Sequence, residues 1–155
     1  GKRELPVSRM MAARGFKGFV TYTLYNYRDT PRDFYYRLRT SVELSEELHI
    51  YCDSFPMRYA PILEVDVGRR YVGQHGSERM LRAFSAIRRA HSGPAGTVTA
   101  HAHNTFPPSE EFGYWYGQDA DEFVTLLCYP RITELVSRKK GALRMQRARR
   151  GSGGS

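Results

Sequence analysis

The stretch GFVTYTLYNYRDTPRDFYYRLR, residues 18–39, decides the fold of this 155-residue chain because it joins a strand pattern to a marked helix start. Residues 18–26 are dense in β-branched and aromatic side chains and are apolar on both alternating sets. This pattern predicts a strand buried on both faces, as in a parallel sheet. Thr30 then fits a helix N-cap, with Pro31 at the first helical position and Asp33 three residues after the cap.

The residues after this helix start complete a βαβ unit. The helix should run for about eighteen residues, with an apolar stripe and an outward charged face; the stripe consists of Phe34, Leu38, Val42 and Leu48. Residues 49–55, HIYCDSF, predict a second strand that Pro56 closes. Two strands joined by one helix should pair in parallel through a right-handed crossover.

The remainder of the chain predicts mainly loops and helices. Residues 58–76 form a long loop with room for a short strand near 62–67, and TVTAHAHN at 97–104 fits a short strand or an extended loop. Ser77 caps a helix to about residue 90, Asp119 caps a later one, and a last helix follows Pro130. The predicted fold class is α/β: a βαβ unit, with strands near 18–26 and 49–55, followed by C-terminal helices.

Composition and charge limit the classes of function. The chain is 41% apolar and lacks an apolar run of the roughly 18 residues that a membrane span needs. No signal peptide is visible, and the two cysteines, Cys52 and Cys128, argue against a disulfide scaffold and a Cys-based zinc site. These features predict a reducing, cytoplasmic setting without membrane contact.

The net charge of +8 lies mostly in one segment. Residues 138–150, RKKGALRMQRARR, hold seven Lys and Arg and no acid; the other 17 basic and 16 acidic residues leave 1–137 at +1. We therefore divide the chain into a domain at 1–137, a basic tail at 138–150 and a flexible artificial linker at 151–155, GSGGS. The tail fits a solvated helix end, a disordered extension, or a weak, nonspecific nucleic-acid contact through Arg138, Lys139, Lys140, Arg144 and Arg147.

Polar and aromatic side chains follow both predicted strands. Residues 26–29 follow the first strand and residues 55–59 the second, so parallel pairing would make the two loops neighbours where α/β folds bind ligands. Arg58 could clamp a carboxylate, and tyrosine or methionine could pack on a purine. The candidate cofactor contacts are Asn26, Tyr27, Asp29, Met57, Arg58 and Tyr59. The alternative is that Asp29 and Thr30 only cap the helix and Arg58 pairs with an acid.

The run VTYTLYNYRDTPRDFYYRLRTSVELSEELHIYCDSFPMRYAPI, residues 20–62, resembles the late barrel segment of radical S-adenosylmethionine enzymes. The corresponding pieces are residues 26–30, 35–37, 47–50 and 57–59. YVGQHGSERMLRAFSAIRRAHSG and DADEFVTLLCYP resemble the closing helices, so the likeness spans about 17–136. The resemblance implies a partial (β/α) barrel, with S-adenosylmethionine and a [4Fe–4S] cluster as cofactors of the parent enzyme.

One departure from that family is decisive for activity. The family binds its cluster through a CxxxCxxC loop, which this sequence lacks, and two cysteines are too few for such a cluster. The resemblance therefore implies a C-terminal fragment that contributes cofactor or substrate contacts, binds neither cofactor stably, and is inactive alone. It would need the missing N-terminal barrel half or a partner chain; bare sheet surface would otherwise favour self-association.

Two further interpretations belong to other classes. His101 and His103 lie on one side of an extended segment and could begin a metal site completed by His75, His91 or Asp53, although loop histidines are usually solvated. The chain could also be a small α/β module that binds nucleic acid through its basic tail, or an inactive excised scaffold. The start at Gly1 rather than Met indicates an excised segment.

Overall fold

The computed structural model describes residues 4–62, 70–92 and 107–153. Within these ranges the chain is mixed α/β, as predicted, with a two-stranded sheet and six helices. In chain order the elements are α1 (Glu4–Ala13), β1 (Gly18–Tyr25), α2 (Pro31–Leu48), β2 (Tyr51–Arg58), α3 (Glu78–Ser92), α4 (Pro108–Tyr116), α5 (Ala120–Leu127) and α6 (Ile132–Ser152).

The two strands pair in parallel, as the predicted βαβ unit requires. The register runs from Gly18 opposite Tyr51 to Tyr25 opposite Arg58, so both strands end at the same edge. The predicted helix start is confirmed: the Thr30 side chain accepts a hydrogen bond from the Asp33 amide, and the Asp33 carboxylate accepts from the Thr30 amide. This capping box satisfies two amide groups that would otherwise lack an intrahelical partner.

The prediction that Pro56 closes the second strand is wrong. Pro56 is buried inside β2 and lies opposite Thr23, and the strand continues to Arg58. Proline has no amide hydrogen, so it is compatible with a strand only where that donor is not needed for pairing. Here β2 pairs with β1 alone among the described elements, and a proline at a sheet edge is therefore permitted.

The prediction that the first strand is buried on both faces is also wrong. Val20, Tyr22 and Leu24 of β1 are 53%, 73% and 40% exposed, and Tyr51 and Met57 of β2 are 55% and 45% exposed. Paired residues of adjacent strands point to the same side, so these side chains share one surface, which we call the bare face. Apolar composition alone could not distinguish a strand covered on both sides from one covered on a single side.

Hydroxyl groups line the opposite face, which α2 covers. Ser41 and Ser45 of α2 and Thr23 and Ser54 of the strands are buried there. The Ser41 and Ser54 hydroxyls lie 2.7 Å apart. Ser45 accepts from the Cys52 amide at 2.8 Å and donates to the Cys52 carbonyl at 3.2 Å. Ser45, predicted as a gap in the helix stripe, thus joins α2 to β2.

The main core lies on the other side of α2, among the helices. Rings from α2, α4 and α5 surround Phe84 of α3, and the FGYWYG segment at 112–117 supplies core aromatics. The confirmed N-caps Ser77 and Asp119 accept from amides of α3 and α5, at Met80 and Glu122. These helices hold α2, and through it the sheet, in place.

The basic segment belongs to a helix that packs on the body. α6 continues through residue 137, the boundary drawn from composition, and reaches Ser152, inside GSGGS. Leu143 is 4% exposed, and Arg147 pairs with Glu111 of α4. Within the described ranges, no helix is long and apolar enough to cross a membrane. Residues 97–104, including His101 and His103, and most of 62–67 lie outside those ranges.

Candidate ligand-binding corner

The loops after β1 and β2 lie side by side. Tyr25 and Arg58 form the last pair of the sheet, and the Tyr59 amide donates to the Tyr25 carbonyl at 2.8 Å. We call residues 26–29 and 57–59 the corner. The sequence-predicted residues are therefore at one edge of the sheet, but their side chains have different roles.

Asn26 is buried and holds a neighbouring segment. Its side-chain oxygen accepts from the Gly73 amide at 2.6 Å, and its side-chain nitrogen donates to the carbonyls of Tyr71, at 3.0 Å, and Tyr59, at 3.2 Å. Asn26 has a φ of 69°, in the left-handed region that asparagine tolerates better than most residues. All these bonds join Asn26 to the protein's own backbone, so its present role is structural.

Residues 71–73, which we call the strap, approach the corner closely. A Cβ atom at position 73 would lie 2.7 Å from the Asn26 carbonyl oxygen, a contact that only glycine avoids. The strap also receives Arg58, whose guanidinium donates to the Tyr71 carbonyl at 2.8 Å. The strap therefore covers the backbone of both loops.

Asp29 orders the turn before α2. Its carboxylate accepts from the Tyr27 amide at 3.0 Å and pairs with Arg37 at 2.8 Å, and its side chain is 15% exposed. This arrangement agrees with the alternative in which Asp29 supports the helix start. An incoming cation or hydroxyl would have to compete with Arg37 for this carboxylate.

Of the six predicted residues, Tyr27, Met57 and Arg58 are exposed and Tyr59 is partly buried. The Tyr27 and Tyr59 rings lie 4.5 Å apart, and Arg28 sits 5.4 Å from the centre of the Tyr27 ring. Met57 is 45% exposed, and Arg58 is exposed without a carboxylate partner among the described residues. Tyr27, Arg28 and Tyr59 therefore form an aromatic and cationic cluster, whereas Met57 lies on the bare face and Arg58 points to the opposite side of the strand.

A narrow cleft lies on the inner side of the corner. It is lined by Asn26 and Asp29 at the rim and by core rings such as Phe34, Phe84 and Phe123 at the base, and its volume is about 40 Å³. A water needs roughly 10–15 Å³ on this scale, so the cleft has room for a few waters and none for an adenosyl group. A nucleoside is therefore too large for this cleft.

Burial and charge act in opposite directions on Tyr25 beneath the corner. Burial raises the pKa of its phenol, and the nearby positive charges of Arg88 and Arg58 lower it by a smaller amount. The hydrogen bonds from the Thr30 amide and hydroxyl hold the pKa of Asp33 below its ordinary value. Both shifts favour a neutral phenol and an ionised carboxylate near neutral pH.

The five predicted nucleic-acid contacts divide into two groups. Arg138, Lys140 and Arg144 are exposed on α6. Lys139 instead donates to the Tyr114 carbonyl and lies 4.9 Å from the Tyr114 ring centre, and burial lowers the pKa of its ammonium. Arg147 is engaged by the buried Glu111. The full set of five does not form one free surface.

The described ranges offer no cluster of three or more His, Cys, Asp or Glu side chains suited to a metal ion. His75 and Asp53, two of the residues predicted to complete a site with His101 and His103, are not part of any such cluster there. The histidine pair itself lies outside the described ranges.

Sequence reasoning missed two groups beside the corner. Gly73 carries no side-chain signal, and its role follows only from the fold. Arg82 and Arg89 on α3 are seven residues apart with Ser85 between them, a spacing that places all three on one helix stripe. That stripe could have been read from the sequence.

No protein-family model, curated protein or solved structure matches this chain.

Proposed function

We propose that this chain is the C-terminal part of a radical S-adenosylmethionine barrel, and that its corner contributes contacts to the cofactor or substrate. The resemblance of residues 17–136 to that superfamily supports the proposal, as does the parallel β1–α2–β2 unit. The observation that carries it is the bare face of the sheet.

The bare face needs a covering partner. Parallel sheets occur almost only where both faces are covered, whereas here Val20, Tyr22 and Leu24 are all exposed. In a (β/α) barrel, helices cover the outer face and side chains from the other strands fill the inner one. An N-terminal barrel half would pair with the open strand edges and cover the bare face.

Each surface group of the corner could contact a different part of the cofactor. The Tyr27 and Tyr59 rings provide a platform for a purine, and the Arg58 guanidinium can hold a carboxylate through paired hydrogen bonds. Met57 is 45% exposed on the bare face, on the other side of the strand from Arg58, and could offer a ligand apolar contact there. Asn26 and Asp29 support these groups through the strap and the α2 start.

The residues present do not fit the iron–sulfur cluster. Three thiolates are required, whereas the sequence contains Cys52, which is buried in β2, and Cys128, which is exposed after α5. We therefore assign no radical step to this chain, whose proposed role is binding and orientation.

The first test concerns the coding sequence that precedes Gly1. A CxxxCxxC motif within roughly 250 residues upstream, the size of one whole barrel, is the expected result. A stop codon in frame immediately upstream, or an upstream domain without that motif, would overturn the proposal.

The second test uses the chain joined to that upstream segment and reconstituted anaerobically. Equilibrium dialysis should show S-adenosylmethionine binding that Arg58→Ala weakens on the order of tenfold, the cost of about one charge-assisted pair. Arg144→Ala is the matched control because Arg144 is an exposed arginine on α6 that is not one of the corner residues. Equal weakening by both variants would contradict the assigned corner.

The nucleic-acid alternative now depends on Arg138, Lys140 and Arg144. Their contribution should be independent of base sequence and should fall steeply with salt. Deleting 138–150 is a poor test because it also removes the buried Leu143. Replacing the three exposed cations with glutamine, and measuring oligonucleotide binding by fluorescence anisotropy, tests this alternative without changing the core.

A further inference from the structure

A groove separate from the cleft lies between the end of β2 and the outer side of α3. Its volume is about 280 Å³, and it is lined by Arg58, Glu78, Leu81, Arg82, Ser85, Ala86 and Arg89. Arg58 is the only one of these residues assigned to the corner. The other six come from α3, where Arg82 and Arg89 are exposed and Leu81 is buried.

The groove carries more positive than negative charge. Arg82 pairs with Glu78 at 2.6 Å, but both side chains are largely exposed, at 76% and 66%, so the pair is weak. Arg58 donates to a neutral carbonyl rather than to a carboxylate. Arg89 is exposed and makes no ion pair with any described acid. Three guanidiniums thus face one carboxylate.

A fourth cation increases this imbalance. Arg88 lies 5.9 Å from the centre of the Phe84 ring, and its guanidinium donates to the Pro56 carbonyl at 3.4 Å, next to Arg58 in the chain fold. A bound anion would reduce the mutual repulsion of the cations around this groove.

The spacing on α3 fits a compact ligand. Arg82 and Arg89 are two helical turns apart, about 10.5 Å along the axis, and both long side chains can reach a group held between them. The Ser85 hydroxyl occupies that intermediate position and can donate to an oxyanion. Leu81 provides an apolar wall for an organic substituent.

We propose that this groove binds a small phosphorylated ligand, held by Arg82, Arg89 and Ser85 with Arg58 at its edge. The planar guanidinium fork matches phosphate oxygens and can bind them through two parallel hydrogen bonds. The groove is built from one chain and needs neither an iron–sulfur cluster nor a covering barrel half. The groove and the corner share Arg58, whereas Arg82, Ser85 and Arg89 belong to the groove alone, so variants of these three test the groove separately from the function proposed above.

The proposal is tested by isothermal titration of the full chain with pyrophosphate at low ionic strength. Saturable one-to-one binding is expected, and Arg89→Gln should weaken it on the order of tenfold, with a similar effect for Arg82→Gln. Arg144→Gln is the control, since it removes the same charge from an exposed site on α6. It should change the dissociation constant by less than about twofold.

Titrations with other phosphate-bearing ligands distinguish the source of the phosphate. Inorganic phosphate should bind more weakly than pyrophosphate, and adenosine monophosphate should exceed inorganic phosphate if Leu81 contacts an organic group. Absence of saturable binding to any of the three would overturn the proposal. The proposal would also be overturned if Arg144→Gln weakened pyrophosphate binding as much as Arg89→Gln does. A third contrary outcome would be a short single-stranded oligonucleotide that binds more tightly than pyrophosphate and whose affinity is unchanged by Arg89→Gln.

Discussion

The two faces of the β1–β2 sheet reverse the usual distribution of polar and apolar side chains. The face under α2 is rich in hydroxyls, among them Thr23 and Ser54, whereas the bare face carries Val20, Tyr22 and Leu24. Small hydroxyl side chains allow α2 to approach the strands closely and to form hydrogen bonds such as that between Ser45 and Cys52. Large side chains on the bare face have space in front of them.

This difference indicates which face of the sheet the described residues cover fully and which face they leave uncovered. The covered face has small, hydrogen-bonded groups that need no further partner, while the bare face exposes apolar area that would be stabilised by burial at about 25 cal/mol per Å². The comparison leads to four predictions, from the largest expected effect to the smallest.

The first prediction compares a leucine of the packed core with a leucine of the bare face. Leu38 of α2 is fully buried, and Leu38→Ala should lower the free energy of unfolding by about 2–5 kcal/mol, because it leaves a cavity in a packed core. Leu24→Ala, on the bare face, should cost less than about 1 kcal/mol. Urea unfolding followed by circular dichroism measures both. Equal losses would mean that the bare face is covered in solution.

The second prediction concerns Asn26 at the corner. Asn26→Ala should lower the free energy of unfolding by about 2–3 kcal/mol, because the buried amide of Gly73 loses its acceptor and alanine is strained at a φ of 69°. The comparison variant Asn26→Gly removes the same hydrogen bonds without backbone strain, and should lose about 1 kcal/mol less than alanine. An unchanged stability in Asn26→Ala would restore Asn26 as a dedicated ligand contact.

Much of the βαβ unit could be predicted from sequence because its signals are local. Thr30, Pro31 and Asp33 fix the start of α2 through contacts within one turn, and the parallel pairing follows from strand, helix and strand in succession. Phe34, Leu38 and Val42 are buried as predicted. Leu48 is only partly buried, and Leu44 takes its place in the buried set.

The errors concern information that the local pattern does not contain. Whether Val20 and Tyr22 are covered depends on what lies across the sheet, and the roles of Asn26 and Asp29 depend on Gly73 and Arg37, which are distant in sequence or on another element. Proximity of the two loops followed from topology. The sequence could not show which corner residues are structural and which are exposed, because that depends on where the strap and α3 lie in the folded chain.

The third prediction concerns the capping box that connects the corner to α2. Thr30→Ala should lower the free energy of unfolding by about 1 kcal/mol near neutral pH. The pKa of Asp33 is lowered from 3.8, first by the Thr30 amide and then by its hydroxyl. Because the folded pKa lies below the unfolded one, this contribution is complete above pH 3.8 and is lost as pH falls through the folded pKa. Asp33→Asn should remove that part of the acid dependence; an unaltered acid profile would contradict it.

The smallest expected change in stability comes from the most exposed residue of the bare face. Tyr22 is 73% exposed, and its ring centre lies 5.9 Å from that of Phe55, so Tyr22→Lys should alter the free energy of unfolding by less than about 0.5 kcal/mol. Its effect should appear in association instead, because an apolar sheet face with open edges favours pairing with a second copy. Sedimentation velocity over a concentration series should show self-association of the unmodified chain that Tyr22→Lys weakens.

Tyr36→Lys is the matched control, since Tyr36 is 55% exposed on α2, outside the bare face, and should leave association unchanged. If both variants weaken association equally, or the unmodified chain remains monomeric at every concentration, the bare face does not drive association by itself.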